Sequence, residues 1–244
     1  MKPMLIVKTG TTLPDLALRR GDYEDWIALG AGLAPDEVEV VRVDEGEPTP
    51  DPREWGGVVV TGSSAMVSDR EDWSERTAAW LARAFEAQTP LLGICYGHQL
   101  LAHALGGRVG RNPRGREIGS LEIRLAAAAR EDALLGGLPD AMVVQVTHVE
   151  SVLELPPGAR VLASSSGDPH HAYAIGACAW GLQFHPEFDA DVIRAYLDAR
   201  REILTEEGLD TERLFRGAVD SEHGGAILRR FARIARDRAS RANR

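Results

Sequence analysis

Thr89-Pro90-Leu91-Leu92-Gly93-Ile94-Cys95-Tyr96-Gly97-His98-Gln99-Leu100 is the stretch around which the chain is organised. A short apolar run, Leu91 to Ile94, leads into one cysteine flanked by Gly93 and Gly97, and an apolar segment of helical character continues to Gly106-Gly107. The order predicts a strand, a sharp turn and a helix, with Cys95 at the apex. Gly93-x-Cys95-x-Gly97 has the form of a nucleophile elbow with cysteine in the place of serine. Such a turn brings backbones close together, so a Cβ at either glycine would clash. A helix N-terminus would also present the sulfur with unpaired N–H groups and partial positive charge. Taken alone, the pattern fits a buried structural cysteine equally well.

Upstream of this stretch, Met4–Val7 reads as a first strand, and Asp22 to Leu33 as a helix with Asp22 as its cap. Val38–Val43 alternates like a strand exposed on one face, and the proline- and acid-rich segment 44–55 reads as a surface loop. Gly57–Thr61 is a buried strand by its β-branched run, and Asp72 to Gln88 is a helix with Ala78, Ala79, Leu81, Ala82 and Phe85 inward. Strand alternating with helix predicts an α/β, largely parallel sheet with helices on both faces. Downstream, Arg108–Gly110, Ile118–Leu125, Met142–Val146, Arg160–Ala163, Ala172–Ile175 and Ala177–Phe184 are short strand-like runs, several of them antiparallel additions. Asp189 to Ile203 reads as one helix, and residues 211–244 as more helix. The expected organisation is one domain over residues 1–200 and a helical extension over 201–244.

The 244 residues carry 44% apolar side chains and a net charge of −9, which argues against a general nucleic-acid or anionic-membrane surface. No apolar run reaches the length of a membrane span, and the start reads as a strand rather than a signal peptide. Two cysteines, Cys95 and Cys178, make no disulfide framework, which points to a reducing cytoplasm. Leu228 to Arg244 holds seven arginines (229, 230, 233, 236, 238, 241, 244) against Asp237, with Ile227, Phe231 and Ile234 as an apolar stripe. A solvated helix face is the favoured reading, ahead of a partner-binding arm.

Gln183-Phe184-His185-Pro186-Glu187 also follows a strand and precedes a helix. In parallel sheets, functional groups collect at the carboxyl ends of strands. Glu187, across the stiff Pro186, is placed to orient the His185 imidazole, which makes Cys95, His185 and Glu187 a nucleophile, base and orienter. A third segment, Gly62-Ser63 at the end of the Val58–Thr61 strand, is placed to donate a backbone N–H to an oxyanion, with the N–H of Tyr96 as the second donor. Among the other histidines, His98 and His103 are five residues apart and suit a shared metal poorly. His170-His171 is expected in a solvated polar loop, and Cys178 in the core.

Together, Gly93–Gln99 and Gln183–Glu187 resemble the class I, triad-type glutamine amidotransferases. Val60-Thr61-Gly62-Ser63, Ala104–Val109, Asn112–Gly119 and His148–Pro156 are similar to the subgroup that includes the glutaminase domain of GMP synthetase. The resemblance covers residues 5 to 200 or so and implies a flavodoxin-like fold. It implies that Cys95 attacks the glutamine side-chain amide, with His185 and Glu187 as partners, and that Gly62, Ser63 and Tyr96 form the oxyanion hole. It places Gln99 and the segment Val146, Thr147 and His148 at the substrate, with no metal and no cofactor for this half-reaction. Two departures stand out. Ser63 replaces a second glycine, and His148-x-Glu150 replaces the usual His-x-Asp. The phosphate-binding loop of a complete synthetase is not found; Ser165-Ser166-Gly167-Asp168 does not match it. The resemblance therefore implies a glutaminase that passes ammonia to a separate acceptor enzyme. A hydrolase of γ-glutamyl peptides or conjugates is the alternative, and a non-catalytic binding protein on the same fold the third reading.

Overall fold

Strands that are apolar at every position must be covered on both faces, and three of them make the centre of this molecule. The computed structural model describes residues 4–242. Of the expectations above, Met1-Lys2-Pro3 and Arg244 lie outside the described residues, as does the side chain of Arg241. The first half runs β1 (Met4–Lys8), α1 (Pro14–Arg20), α2 (Tyr23–Ala31), β2 (Val38–Arg42), β3 (Gly57–Val60), α3 (Asp72–Glu86), β4 (Leu91–Ile94) and α4 (Tyr96–Ala104). The second half adds β5 (Arg108–Arg111), β6 (Glu117–Leu125), β7 (Ala141–His148), β8 (Glu150–Glu154), β9 (Ala159–Ser164), β10 (Ala172–Ile175) and β11 (Ala179–Leu182). Four helices close the chain: α5 (Ala190–Ala199), α6 (Arg201–Glu206), α7 (Thr211–Arg216) and α8 (Gly224–Ala242).

The main sheet has the order β2-β1-β3-β4-β11-β10-β9-β6-β7. Its first five strands are parallel and the rest antiparallel, while β5 and β8 pair separately. This is the expected flavodoxin-like α/β architecture. Alternation along the strands divides the core. Met4, Ile6, Val59, Leu92 and Ile94 face one layer, built by α2, α5 and α8. Leu5, Val7, Val58, Val60 and Leu91 face the other, built by α3 and α4.

Several local expectations need correction. The chain between β1 and Asp22 forms a helix, α1, beyond the elements expected from the sequence; Pro14 sits in its first turn, where a missing N–H costs nothing. On α3, Ala79 is exposed and Ala82 and Phe85 are half-buried, whereas Ser74, Thr77, Ala78, Trp80, Leu81 and Ala84 are buried. The stripe is rotated because the 44–55 loop folds over Trp80, whose Nε1–H donates to the Pro50 carbonyl at 2.6 Å. The helix expected over Asp189–Ile203 breaks at Arg200, which has φ −112 and ψ 10.

The arginine-rich helix is not simply a solvated face. Ile227, Leu228, Phe231, Ala232 and Ala235 of α8 are buried in the core against α2. Its arginines reach over neighbouring chain ends. Arg230 donates to the Leu134 and Gly136 carbonyls (3.1 and 2.7 Å), Arg238 to those of Trp55 and Ala87 (3.1 and 2.8 Å), and Arg236 pairs with Glu37 (2.8 Å). Arg233 is exposed.

Truncating Phe231 to alanine is expected to destabilise the whole chain by about 3–5 kcal/mol, the usual loss for a buried aromatic. Urea unfolding measures this, and a loss below about 1 kcal/mol would mean that α8 does not share the core.

Candidate active site

Val60 pairs with Gly93, and Leu182 with Ile94, so β3, β4 and β11 are adjacent and end on the same side of the sheet. The three sequence motifs leave from these three ends. Cys95 occupies the first, with φ 51 and ψ −100, a conformation that costs a non-glycine residue about 1–3 kcal/mol. The turn is pinned from both sides. The Cys95 N–H donates to the Leu182 carbonyl (2.8 Å) and the Gly97 N–H to that of Thr61 (3.1 Å). A Cβ on Gly93 would strike the Gly97 carbonyl, and one on Gly97 the Val60 carbonyl. Both glycines are therefore required by close approach. The end of β3 is held in turn by Thr9, whose N–H donates to Thr61 Oγ1 and whose hydroxyl donates to the Thr61 carbonyl, both at 3.0 Å.

His185 leaves the end of β11 and is fixed across the sheet, its N–H donating to the Gln145 carbonyl at 2.9 Å. Its Nδ1–H donates to Glu187 Oε1 at 2.7 Å, and both side chains are buried (2% and 0% exposed). The ring stacks on Phe188 at 3.9 Å. Nε2 is buried without a hydrogen-bond partner, in the field of the Cys95 sulfur. Burial alone would push the imidazole down. The Glu187 carboxylate and the Cys95 sulfur outweigh it and push His185 up to about 10. Gly62 makes room for this ring, since a Cβ there would lie 2.9 Å from His185 Cε1 and 3.8 Å from Cys95 Cβ.

Two cavities meet at Cys95. The first, of about 180 Å³, is lined by Ser63, Tyr96, Gln99, Arg116, His148 and Glu150, among others. The second, of about 240 Å³, is lined by Thr12, Tyr23, His185 and Tyr196. Ser63, Ser64, Cys95, Thr147 and Arg200 border both. The structure thus brings Cys95, His185, Glu187, Gly62, Ser63, Tyr96, Gln99, Thr147 and His148 to one place. Val146 differs: strand alternation turns its side chain into the core, which leaves only its backbone to the site. Gln99 is buried in the wall, its Nε2 donating to the Glu150 carbonyl (2.8 Å) and Gln183 Oε1 (3.0 Å).

His171 corrects the expectation of a solvated loop, because it is fully buried. Its Nε2 and that of His148 each lie 3.1 Å from the same oxygen of Glu117, whose other oxygen accepts from the Ser165 hydroxyl at 2.6 Å. The His148 Nδ1–H donates to the Glu150 carbonyl at 2.9 Å. Among the described residues, Glu117, His148 and His171 are also the group whose donor atoms are close enough to hold a metal ion. As it stands, the cluster is a hydrogen-bonded clamp behind the first cavity. Burial would raise the Glu117 carboxyl, but the bonds from His148, His171 and Ser165 outweigh it and hold it well below the usual carboxylate range. Glu117 was legible only as part of a basic loop's end, because the partner histidines come from β7 and from the 165–171 loop. His98 is a core residue packed at 4.7 Å on Tyr173, held neutral by burial, and His103 pairs with Glu75 at 3.0 Å on the surface. Cys178 is buried, as expected.

Comparison with known proteins follows the same lines. The family model for class-I glutamine amidotransferases matches residues 28–197. The chain is 40% identical to a glutamine-hydrolysing GMP synthase of Aeropyrum pernix over 131 residues, which span 54% of this chain and 24% of that relative. It is 31% identical to gamma-glutamyl peptidase 4 of Arabidopsis thaliana over 192 residues, 76% of each chain. In structure it shares the fold of a glutamine amidotransferase from Thermotoga maritima, with a TM-score of 0.73 over 98% of each chain at 21% identity.

The sign of the Glu117 shift sets a test. A depressed carboxyl contributes stability that is present above its unfolded pKa and lost as pH falls through the folded one. Glu117→Gln is therefore expected to unfold more easily than the parent at pH ~7, and the gap between the two should close as pH falls below about 4. Urea midpoints at both pH values measure it; a gap that stays constant would contradict the clamp.

Proposed function

We propose, for a chain that belongs to the class-I glutamine amidotransferase family, that Cys95 attacks the γ-carbonyl of glutamine and that water releases glutamate from the resulting thioester. The observation that carries this reading is the sulfur on a strained strand end, beside a buried imidazole whose far nitrogen bonds a buried carboxylate at 2.7 Å.

With His185 raised to about 10, Nε2 already holds the proton it shares with Cys95 at neutral pH, and the sulfur forms a bond to the γ-carbon. The carbonyl π electrons move onto oxygen. That oxyanion is met by the N–H of Tyr96, which as the first residue of α4 has no acceptor within the helix, and by backbone N–H groups at Gly62 and Ser63. Serine in place of a second glycine keeps this donor. The carbon–nitrogen bond then breaks, with the His185 proton going to the departing nitrogen. Water next attacks the thioester, giving its proton to His185, and the sulfur leaves as the γ-carboxyl group forms, with that proton kept on Nε2. Gln99, Thr147, His148 and the backbone of Val146 hold the glutamyl group. Glu187 keeps the imidazole in the tautomer that faces Cys95.

In this reading the ammonia passes to a separate acceptor enzyme, as the likeness to GMP synthases suggests. The cytoplasm is the compartment we assign, supported by two unpaired thiols. Among the described residues no helix is long and apolar enough to cross a membrane. A second reading, hydrolysis of γ-glutamyl peptides, is favoured by the cavity on the His185 side and by the peptidase relative.

A glutamine-like diazoketone is expected to label Cys95 covalently, and Cys95→Ala to abolish both labelling and turnover. Mass spectrometry reads the site, and a label elsewhere contradicts the assignment. His185 donates to the leaving nitrogen only while protonated, so kcat/KM should persist through neutral pH and fall as pH rises through about 10. Glu187→Gln removes the carboxylate that raises His185. It should lower kcat by about 10²–10⁴-fold and move the alkaline limb to lower pH. An unmoved limb would mean that the carboxylate does not act on this ring.

A further inference from the structure

Arg200 has no part in the chemistry above, yet it borders both cavities beside Cys95. It stands at the break between α5 and α6, which turns its side chain back over α5. Its guanidinium carbon lies 4.7 Å over the ring of Tyr196. Its Nη1 is buried without any hydrogen-bond partner, and among the described residues it makes no ion pair. Arg116, the other cation in the lining, is already bonded to Glu207 at 2.9 and 3.0 Å. Arg200 as a whole is half-buried, and a buried guanidinium N–H without a partner is unfavourable unless an acceptor completes it. A guanidinium fork matches a carboxylate in two parallel hydrogen bonds.

The side on which that anion sits follows from the neighbours. Tyr196 lines the second cavity and not the first, and so does His185, which delivers the proton to the departing nitrogen. The leaving amine therefore enters the second cavity. Its 240 Å³ far exceeds the roughly 30 Å³ that a molecule the size of water or ammonia occupies. The walls are fixed. Tyr196 OH bonds Thr12 Oγ1 at 2.8 Å and Tyr23 OH at 2.7 Å. Asp22 Oδ1 accepts from the N–H groups of Thr12 and Tyr23, and its other oxygen is held by Lys8 at 2.7 Å. This is a built pocket with an aromatic wall, a chain of hydroxyls and one unanswered cation at its rim.

We propose that Arg200 binds a carboxylate on the leaving amine, so that this chain prefers γ-glutamyl amides of amino acids or short peptides over amides of neutral amines. The inference rests on the thioester reading of Cys95 given above and selects its second form, the γ-glutamyl peptide, over glutamine, whose leaving ammonia carries no carboxylate. The test compares γ-glutamylglycine with γ-glutamylpropylamide, in which an ethyl group replaces the carboxylate. The parent protein is expected to favour the glycine amide in kcat/KM by at least about tenfold, the worth of a charge-assisted hydrogen bond. In Arg200→Met that ratio should fall about 10- to 100-fold. Arg200→Lys, which keeps the charge without the fork, should retain an intermediate ratio. Urea midpoints report that each variant is folded.

A parent protein that does not distinguish the two amides overturns the proposal. So does an equal loss on both in Arg200→Met, which would assign Arg200 to the glutamyl α-carboxylate instead. Absence of turnover and of Cys95 labelling in the parent is a different result: it removes the thioester reading itself, and this inference with it.

Discussion

The site depends on how closely one helix can begin against two strands. α4 starts at the residue after Cys95, directly over the end of β3, with the Gly97 N–H on the Thr61 carbonyl. Only bare backbone fits there. The absence of Cβ atoms at Gly93 and Gly97 lets the helix axis approach, and the approach forces Cys95 into its positive φ. The strain is sustained because β4 is buried on both faces and hydrogen-bonded on both edges. The fold thereby sets the direction in which the Cys95 side chain leaves the backbone.

Around this turn, the buried charges occur in answered sets. Glu187 faces His185, Glu117 faces two histidines and a serine, and Lys8 faces Asp22 and Glu24 at 2.7 and 2.6 Å. Each set joins segments distant in sequence, so each also fixes the relative position of elements that packing alone would leave freer. Lys8 shows the principle away from the chemistry: burial would lower it, but its two carboxylate partners outweigh that and raise it. The same pair anchors the capped start of α2, and with it the wall of the second cavity. Arg200 is the exception to this pattern.

Most of the site was legible because its residues stand at strand ends within short motifs. Cys95 and His185 each follow an apolar strand, and the glycines around Cys95 announce a close approach. The parallel half of the sheet was legible for the same reason, from continuous β-branched runs. What escaped reading has no local signature. Arg200 sits at a helix break with no proline or glycine to mark it. Thr12, Tyr23 and Tyr196 come together through hydroxyl contacts between α5, α2 and the loop after β1. Glu117 and His171 are 54 residues apart and look like surface residues until the sheet closes. The arginines of α8 look solvated because a carbonyl at the end of a distant loop leaves no trace in the sequence.

β11 carries the base, comes last among the strands, and is inserted between β4 and β10 in the middle of the sheet. Pairing β11 with β4 closes the whole chain between Leu91 and Ala179, a long-range contact of the kind that slows folding. An unfinished or partly unfolded chain therefore holds the cysteine without its histidine, and without the Leu182 carbonyl that pins the turn. The thiol is armed by the same step that completes the sheet. Reactivity at Cys95 is in this sense a certificate of folding, issued once the final strand is in place.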